Sequence, residues 1–200
     1  AKTKGISVLQ PAKKESKPTP ASPPEPVEEG TELVFRNLRT GEERKFKLVN
    51  EYYFGENGKV MVVETSKKNN DTVTLASVLW FNTTSAKVDT VMKKFNDAKG
   101  YAIDKNETQL AFVAERDSVS KSLVKFYKLW YYQPGMETAS LRADRNSVAQ
   151  GLTLSPDFSN IFSKDGSKLF IGLTPIRKPK DTTLVDFETA RLDIWHYNDD

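Results

Sequence analysis

The sequence contains no cysteine and only one histidine, His196, and these shortages exclude several kinds of chemistry. Without cysteine there is no disulfide framework, no thiolate nucleophile and no cysteine-ligated metal site. One histidine with only carboxylates beside it is a poor set of zinc ligands. Serine hydrolysis of the α/β-hydrolase type needs a G-x-S-x-G turn, and that motif does not occur. We therefore expect no catalytic residue, no metal site and no cofactor in this chain, and we interpret His196 as a surface or rim residue.

Long apolar runs and dense blocks of one charge are also missing. No stretch approaches the ~18 consecutive apolar residues of a membrane-spanning helix, so no membrane span is expected. The 30 basic and 27 acidic residues nearly cancel and leave a net charge of +3. Binding to nucleic-acid phosphates needs clustered lysine and arginine, so nucleic acid is not an expected partner.

Proline is scarce outside the first thirty residues. Six of the ten prolines lie there, mixed with lysine, glutamate and serine. Proline fixes φ and lacks the N–H that a strand or helix ladder needs. We predict that residues 1–30 form a proline-rich lead-in or linker and that residues 31–200 form the folded domain. A short strand over residues 5–9 that docks onto the domain is the alternative.

Aromatic and β-branched residues are plentiful, and they recur in a pattern. The chain has 3 Trp, 7 Tyr and 11 Phe, which with many Val and Thr residues favour an all-β domain. Four apolar segments contain a bulky aromatic residue and then turn, and these residues are Phe35, Trp80, Trp130 and Trp195. Their spacings are 45, 50 and 65 residues. A period of this size is typical of β-propeller blades.

A second element, a polar turn followed by a short apolar strand, alternates with the first. Its copies lie at 54–65, 103–115 and 162–173. The first copy contains Asn57-Gly58 and the third contains Asp165-Gly166, dipeptides that supply the positive φ of tight hairpin turns. The middle copy has Asn106-Glu107 at this place, without glycine, and is the weakest match.

Together the two elements predict a repeated four-stranded sheet. Each unit has a turn, a strand, a loop, a strand with the aromatic residue, a short turn and a further strand such as 43–49 or 87–92. One such sheet cannot bury its own faces, so copies must stack on each other around a channel. We predict an all-β fold, a β-propeller fragment of about three to four antiparallel four-stranded blades.

One segment has an alternative interpretation. Val88, Val91, Met92 and Phe95 follow helical spacing, and Ser85 is a suitable N-cap, so residues 86–98 could form a helix. The position of this segment in the repeat favours a strand.

The tryptophans and the acidic residues each allow two interpretations. Trp80, Trp130 and Trp195 could stack on a sugar or a base, but their recurrence at one place in the repeat favours packing between blades. Asp186 and Glu188 belong to an acidic group near the C-terminus. A glycosidase needs two carboxylates across a cleft, and a solvated acidic rim is the simpler interpretation.

The phrase FSKDGSKLFIG at 162–172 resembles the hairpin of TolB-type and prolyl-oligopeptidase-type propellers. The run from Ser155 to Asp200 is similar to a segment in the propellers of large bacterial peptidases of the prolyl oligopeptidase family. The order and spacing of the predicted blades agree with this family across 30–200, so the resemblance covers most of the chain. The turn without glycine and the expanded unit at 116–161 depart from the pattern.

The resemblance implies a noncatalytic propeller that gates peptide access to a serine active site in another domain. The implied partners are a downstream α/β-hydrolase domain of the same polypeptide and its peptide substrates. A TolB-like interaction propeller without peptidase activity is the alternative. A bacterial, exported protein of the periplasm or cell surface is implied in either case. A closed ring of seven or eight blades needs more chain, so we expect a fragment of a longer polypeptide.

Overall fold

The computed structural model describes residues 28–71, 73–118, 122 and 124–177. The regular secondary structure of these residues consists of β-strands, apart from one 3₁₀ turn at Arg145–Ser147. The strands are β1 Thr31–Arg36, β2 Glu43–Phe54, β3 Val60–Thr65, β4 Ser77–Asn82, β5 Val88–Lys93, β6 Asp97–Ile103, β7 Leu110–Glu115, β8 Lys128–Tyr132, β9 Ser140–Ala143, β10 Leu152–Leu154, β11 Ile161–Phe162, β12 Leu169–Phe170 and β13 Leu173–Pro175. The predicted all-β class is confirmed.

The strands pair as successive antiparallel sheets. The first sheet has the order β1-β2-β3-β4-β5, and the second has the order β6-β7-β8-β9. Next in the chain, β11 pairs with β12 and β10 pairs with β13. We call β2 to β5 blade 1, β6 to β9 blade 2, and β10 to β13 the first half of blade 3. The blades are those of a propeller that is not closed over the described residues.

Blades 1 and 2 meet at a large apolar junction. Alternate residues of β3 and β4 face one side of blade 1, as the period of a strand requires. They pack against the facing side of β7 and β8. The largest fully buried residues here are Trp80, Tyr132, Phe112 and Leu110. The central strands β3 and β7 are covered on both faces, which explains their unbroken apolar sequences.

The junction between blades 2 and 3 is smaller. Its buried apolar residues are Val113, Tyr127, Leu129 and Leu154, with Leu169 and Ile171 of blade 3 packed against them. Two polar atoms nearby, Thr153 Oγ1 and Asn160 Oδ1, are buried with no hydrogen-bond partner among the described residues. The first junction likewise leaves Trp130 Nε1 without a partner among the described residues, so the two junctions differ in the size of their apolar cores.

The other face of blade 1 is covered by its own chain. Strands three places apart in a flat sheet lie about 14 Å apart, yet the Phe35 ring of β1 lies 5.1 Å from the Phe81 ring of β4. Arg44 at the start of β2 donates to the carbonyl of Ala86 beyond β4 at 2.8 Å. The hairpin of β1 and the first half of β2, which we call the cap hairpin, is thus folded over β3 and β4.

The fold-over takes place at a bend within β2. Leu48 has φ +57°, an uncommon conformation for a residue with a side chain. The pairing of β2 with β3 shifts register between Val49 and Glu51, the mark of a bulge that bends a strand. Gly30 lies so close to Leu48 that an added Cβ would be 2.4 Å from its carbonyl carbon.

The structure corrects the repeat alignment in one place. Phe35 does not begin a separate unit, because its strand belongs to the same sheet as Trp80. Residues 43–49 are likewise the start of the first strand of blade 1 and are not equivalent to 87–92, most of which belong to the fourth strand, β5. The first half of β2 pairs with β1 and its second half pairs with β3, and no feature of the sequence marks this change of partner.

Two further outcomes concern the predicted elements. Residues 88–93 form a strand, so the helix considered over 86–98 is wrong. The described residues do not include most of the predicted lead-in over 1–30. They also exclude four residues considered from the sequence: Trp195, His196, Asp186 and Glu188.

None of the described helical segments is long and apolar enough to cross a membrane.

Candidate functional site

Three equivalent turns lie between the first and second strands of the blades. In each turn the first N–H donates to the carbonyl five residues on, and the fourth N–H donates back to the carbonyl of the first. The equivalent positive-φ residues are Gly58 (φ +69°), Glu107 (φ +59°) and Gly166 (φ +69°). The hairpin pattern read from the sequence is therefore present three times, including the copy without glycine.

Glu107 compensates for its strained backbone with contacts to the neighbouring blade. Its Oε2 accepts a hydrogen bond from the backbone N–H of Lys59 at 2.8 Å, and its Oε1 accepts one from the N–H of Asn57. Asn57 also donates its side-chain amide to the carbonyl of Lys105 at 3.1 Å. Gly55 gives the glutamate room, since a Cβ there would lie 2.4 Å from Glu107 Cδ. Glu107 thus fastens the turn of blade 2 to the turn of blade 1.

The turns of blades 2 and 3 are joined in a weaker way. Gln109 donates its amide to the carbonyl of Gly166 at 3.2 Å and accepts from the Tyr131 hydroxyl at 2.7 Å. Asp165 stays within its own turn, where it accepts from Ser163 and Ser167. These hydrogen bonds from Ser163 and then Ser167 lower the pKa of Asp165 to about 2. The second contact between turns therefore depends on neutral groups.

Trp80 and Trp130 both lie at the junction of blades 1 and 2, but they do not occupy one repeated position. Trp80 pairs with Val62, four residues after Gly58, whereas Trp130 pairs with Phe112, five residues after Glu107. A shift of one residue turns a side chain to the opposite face of a strand. Trp80 therefore faces blade 2, and Trp130 faces blade 1, so the single repeated place expected from the sequence is wrong.

A buried carboxyl lies at the same junction. Glu64 is 8 % exposed, and Tyr101 of blade 2 donates its hydroxyl to Glu64 Oε2 at 2.7 Å. Burial raises the pKa of Glu64 to about 7; the hydrogen bond from Tyr101 opposes that rise, and the charges of Glu51 and Asp97 add to it. Burial and the adjacent Glu64 also raise the pKa of Tyr101. The junction thus contains a carboxyl that changes charge near neutral pH.

A cleft of about 420 Å³ opens between blades 2 and 3 beside their turns. Its polar lining includes Arg142, Lys168, Gln133 and Ser167, and its apolar lining consists of Leu129, Phe162 and Leu169. The guanidinium of Arg142 lies over the Tyr131 ring, 4.9 Å from its centre. Within 28–71, 73–118 and 124–177 no group of three or more acidic or histidine side chains could hold a metal ion.

No family model matches the sequence, and no curated protein matches it. Three similar solved structures are the β-propeller domain of the Trilobed protease from Pyrococcus furiosus, a prolyl endopeptidase, and TolB from Acinetobacter baumannii. Their identities to this chain are 9 %, 14 % and 13 %, with TM-scores of 0.43, 0.48 and 0.41. Respectively, 61 %, 74 % and 73 % of this chain is covered, against 36 %, 23 % and 35 % of those chains.

These are the kinds of protein that the hairpin motif resembles. The chain spans 36 % or less of the length of each of the three. With TM-scores below 0.5, the similarity adds nothing to the blade assignment, which rests on strand pairing and packing in this chain.

The sequence analysis did not predict the cleft or the contacts of Glu107. One feature of the sequence indicates the Glu107 contacts: Gly55 has no side chain, which leaves room for the glutamate beside the turn of blade 1.

Proposed function

We propose that this chain is the noncatalytic propeller part of a prolyl-oligopeptidase-like serine peptidase, where it gates peptide access to a catalytic α/β-hydrolase domain of the same polypeptide. The observation that carries the proposal is the FSKDGSKLFIG hairpin, which the structure places as the leading hairpin of a blade equivalent to two preceding ones. Export to the periplasm or cell surface belongs to this proposal, as does the division into a 1–30 lead-in and a 31–200 domain.

Gating in this proposal is steric. Blades that pack side by side make a rigid wall, and a rigid wall admits an extended peptide while refusing a folded protein. Glu107 fastens the first two blades at their turns, so it controls the stiffness of that wall. If the junction of blades 1 and 2 were less rigid, larger substrates would reach the catalytic domain.

The first test is to read the genomic sequence downstream of the codon for Asp200. The proposal requires a downstream G-x-S-x-G followed by an aspartate and a histidine. If that order is absent, the peptidase role is wrong.

The second test uses the polypeptide with its catalytic domain. Glu107→Ala should raise the cleavage of a folded protein substrate relative to that of a short peptide, because the two turns lose their fastening. Glu56→Ala, an exposed glutamate in the blade 1 turn, is the matched control and should leave this ratio unchanged. An unchanged ratio in Glu107→Ala would count against gating by the blades.

An interaction propeller without peptidase activity is the second candidate. The observation that favours it is an exposed aromatic pair on β2. Tyr52 is 52 % exposed and Phe54 is 50 % exposed, with ring centres 6.1 Å apart. Exposed aromatic side chains are enriched at protein interfaces. Replacing both with serine should abolish capture of a protein partner if this candidate is right, and should leave peptide cleavage unchanged if the first one is.

A further inference from the structure

We infer that the cleft between blades 2 and 3 binds a carboxylate attached to an apolar group, such as the C-terminus of a peptide that ends in leucine. The inference does not depend on the proposed peptidase role. It rests on the two cationic side chains, the position of Arg142 over an aromatic ring, and the mixed lining of the cleft.

The charged side chains that line the cleft are both cationic. Arg142 and Lys168 are exposed residues on facing blades, and neither forms an ion pair within the part of the chain that the structure describes. The nearest turn carboxylates are already engaged. Asp104 is buried and accepts from the N–H groups of Thr108 and Gln109 at 2.7 and 2.6 Å, and Asp165 accepts from two serines. Both carboxylates keep their charge but lie outside the lining and accept from donors of their own turns, so the charged side chains in the lining itself are both positive.

The main cation lies over an aromatic ring. The guanidinium carbon of Arg142 is 4.9 Å from the centre of the Tyr131 ring, and the planar fork of a guanidinium matches the two oxygens of a carboxylate. The Tyr131 ring is itself held, since its hydroxyl donates to Gln109, whose amide donates to Gly166. This chain of contacts runs from blade 2 to blade 3. Tyr131 and Gln109 line the cleft themselves, so Arg142 is supported by the wall of the cleft.

The rest of the lining fits an apolar group next to the carboxylate. Leu129, Phe162 and Leu169 supply an apolar surface within the same cleft. The volume of about 420 Å³ lies within the range of small-ligand sites and exceeds the needs of an inorganic anion alone. Gln133 and Ser167 line the same cleft and can bond the adjoining peptide group.

The test measures binding to the whole 200-residue chain by calorimetric titration. The probe is the tripeptide acetyl-Ala-Ala-Leu with a free C-terminal carboxylate, compared with its C-terminal amide, with the Ala-Ala-Ala acid and with inorganic phosphate. We expect the acid to bind at least about tenfold more tightly than the amide, because charge-assisted hydrogen bonds are about twice as strong as neutral ones. The Ala-Ala-Ala acid should bind more weakly because it lacks the apolar group.

Two variants and one control assign the binding to the cleft. Arg142→Gln should weaken binding of the acid at least about tenfold, and Arg142→Lys should weaken it less, since charge remains but the fork is lost. Arg145→Gln is the matched control, because Arg145 also lies over an aromatic ring, that of Phe126 at 4.7 Å, but does not line the cleft. The unfolding temperature of each variant shows that the blades remain folded.

Several results would overturn the inference. They are the absence of binding at millimolar peptide, equal binding of acid and amide, and an unchanged affinity in Arg142→Gln. Phosphate binding as tightly as the peptide, with no effect of the leucine side chain, would also overturn it and would indicate a general anion site instead.

Discussion

The two junctions between blades differ in how they are held together. The junction of blades 1 and 2 has a large apolar core, with Trp80, Phe112 and Tyr132 fully buried, and Glu107 links the two turns through its carboxylate. The junction of blades 2 and 3 has a smaller core, neutral contacts at its turns and an open cleft. The same hairpin unit therefore forms either a closely packed junction or one that leaves an open cleft, according to the residues on its faces.

The largest expected difference concerns matched leucines in the two cores. Leu110 in the first junction and Leu154 in the second are both fully buried. Leu→Ala in a core costs about 2 to 5 kcal/mol, depending on how far the surroundings can collapse. We expect Leu110→Ala near the upper end and Leu154→Ala near the lower end, measured by urea unfolding. Equal losses would show that the two junctions are equally rigid.

The next effect is a pH dependence that only the first junction should show. The pKa of Glu64 is about 7 in the folded protein, against an ordinary value near 4.5. The stability that protonated Glu64 contributes is then fully present below about pH 4.5 and is lost as the pH rises through 7, by about 3 kcal/mol in all. Glu64→Gln should remove that decline and be more stable than the unmodified protein at pH 8. Glu56→Gln, at an exposed site, should keep it.

The turn fastening should give a smaller effect. Glu107→Ala loses two hydrogen bonds to the blade 1 turn and keeps the strained backbone, at an expected cost of about 2 to 3 kcal/mol. Glu107→Gly loses the same bonds but relieves the positive φ, which costs about 1 to 2 kcal/mol for a residue with a side chain. Thermal unfolding should therefore rank the glycine variant above the alanine variant. The reverse order would mean that the backbone at Glu107 is not strained.

The smallest effect compares the glycines of the first and third turns. Both have φ +69°, so Gly58→Ala and Gly166→Ala should each cost about 1 to 2 kcal/mol from the backbone alone. A Cβ at Gly58 meets open space, whereas one at Gly166 would lie 2.8 Å from Gln109 Nε2. Gly166→Ala should also weaken binding of the acid tripeptide, because Gln109 supports Tyr131. Gly58→Ala should leave that binding unchanged.

The hairpins could be predicted from the sequence because their signals are local. Asn57-Gly58 and Asp165-Gly166 fix the backbone of a turn through two adjacent residues, and the apolar strands follow at once. The spacing of these turns then predicts the stacking of blades, since a lone sheet leaves its faces uncovered.

Features that depend on distant contacts could not be predicted in the same way. The positive φ of Glu107 is stabilised by N–H groups about fifty residues earlier, and glutamate is an uncommon residue in that conformation. The register of Trp130 differs from that of Trp80 by one position, which a search by spacing treats as equivalent. The bend at Leu48 has no glycine or proline to mark it. The cleft combines residues from two blades that are far apart in the chain.

The cap hairpin has a consequence for assembly. Phe35 and Phe46 occupy the surface of Phe81 on which another blade could otherwise sit. A second copy of this protein, or any blade from elsewhere, would first have to peel that hairpin away. Within the described residues, the outer face of blade 1 is therefore already covered, and the next blade in the chain stacks on the side of blade 3.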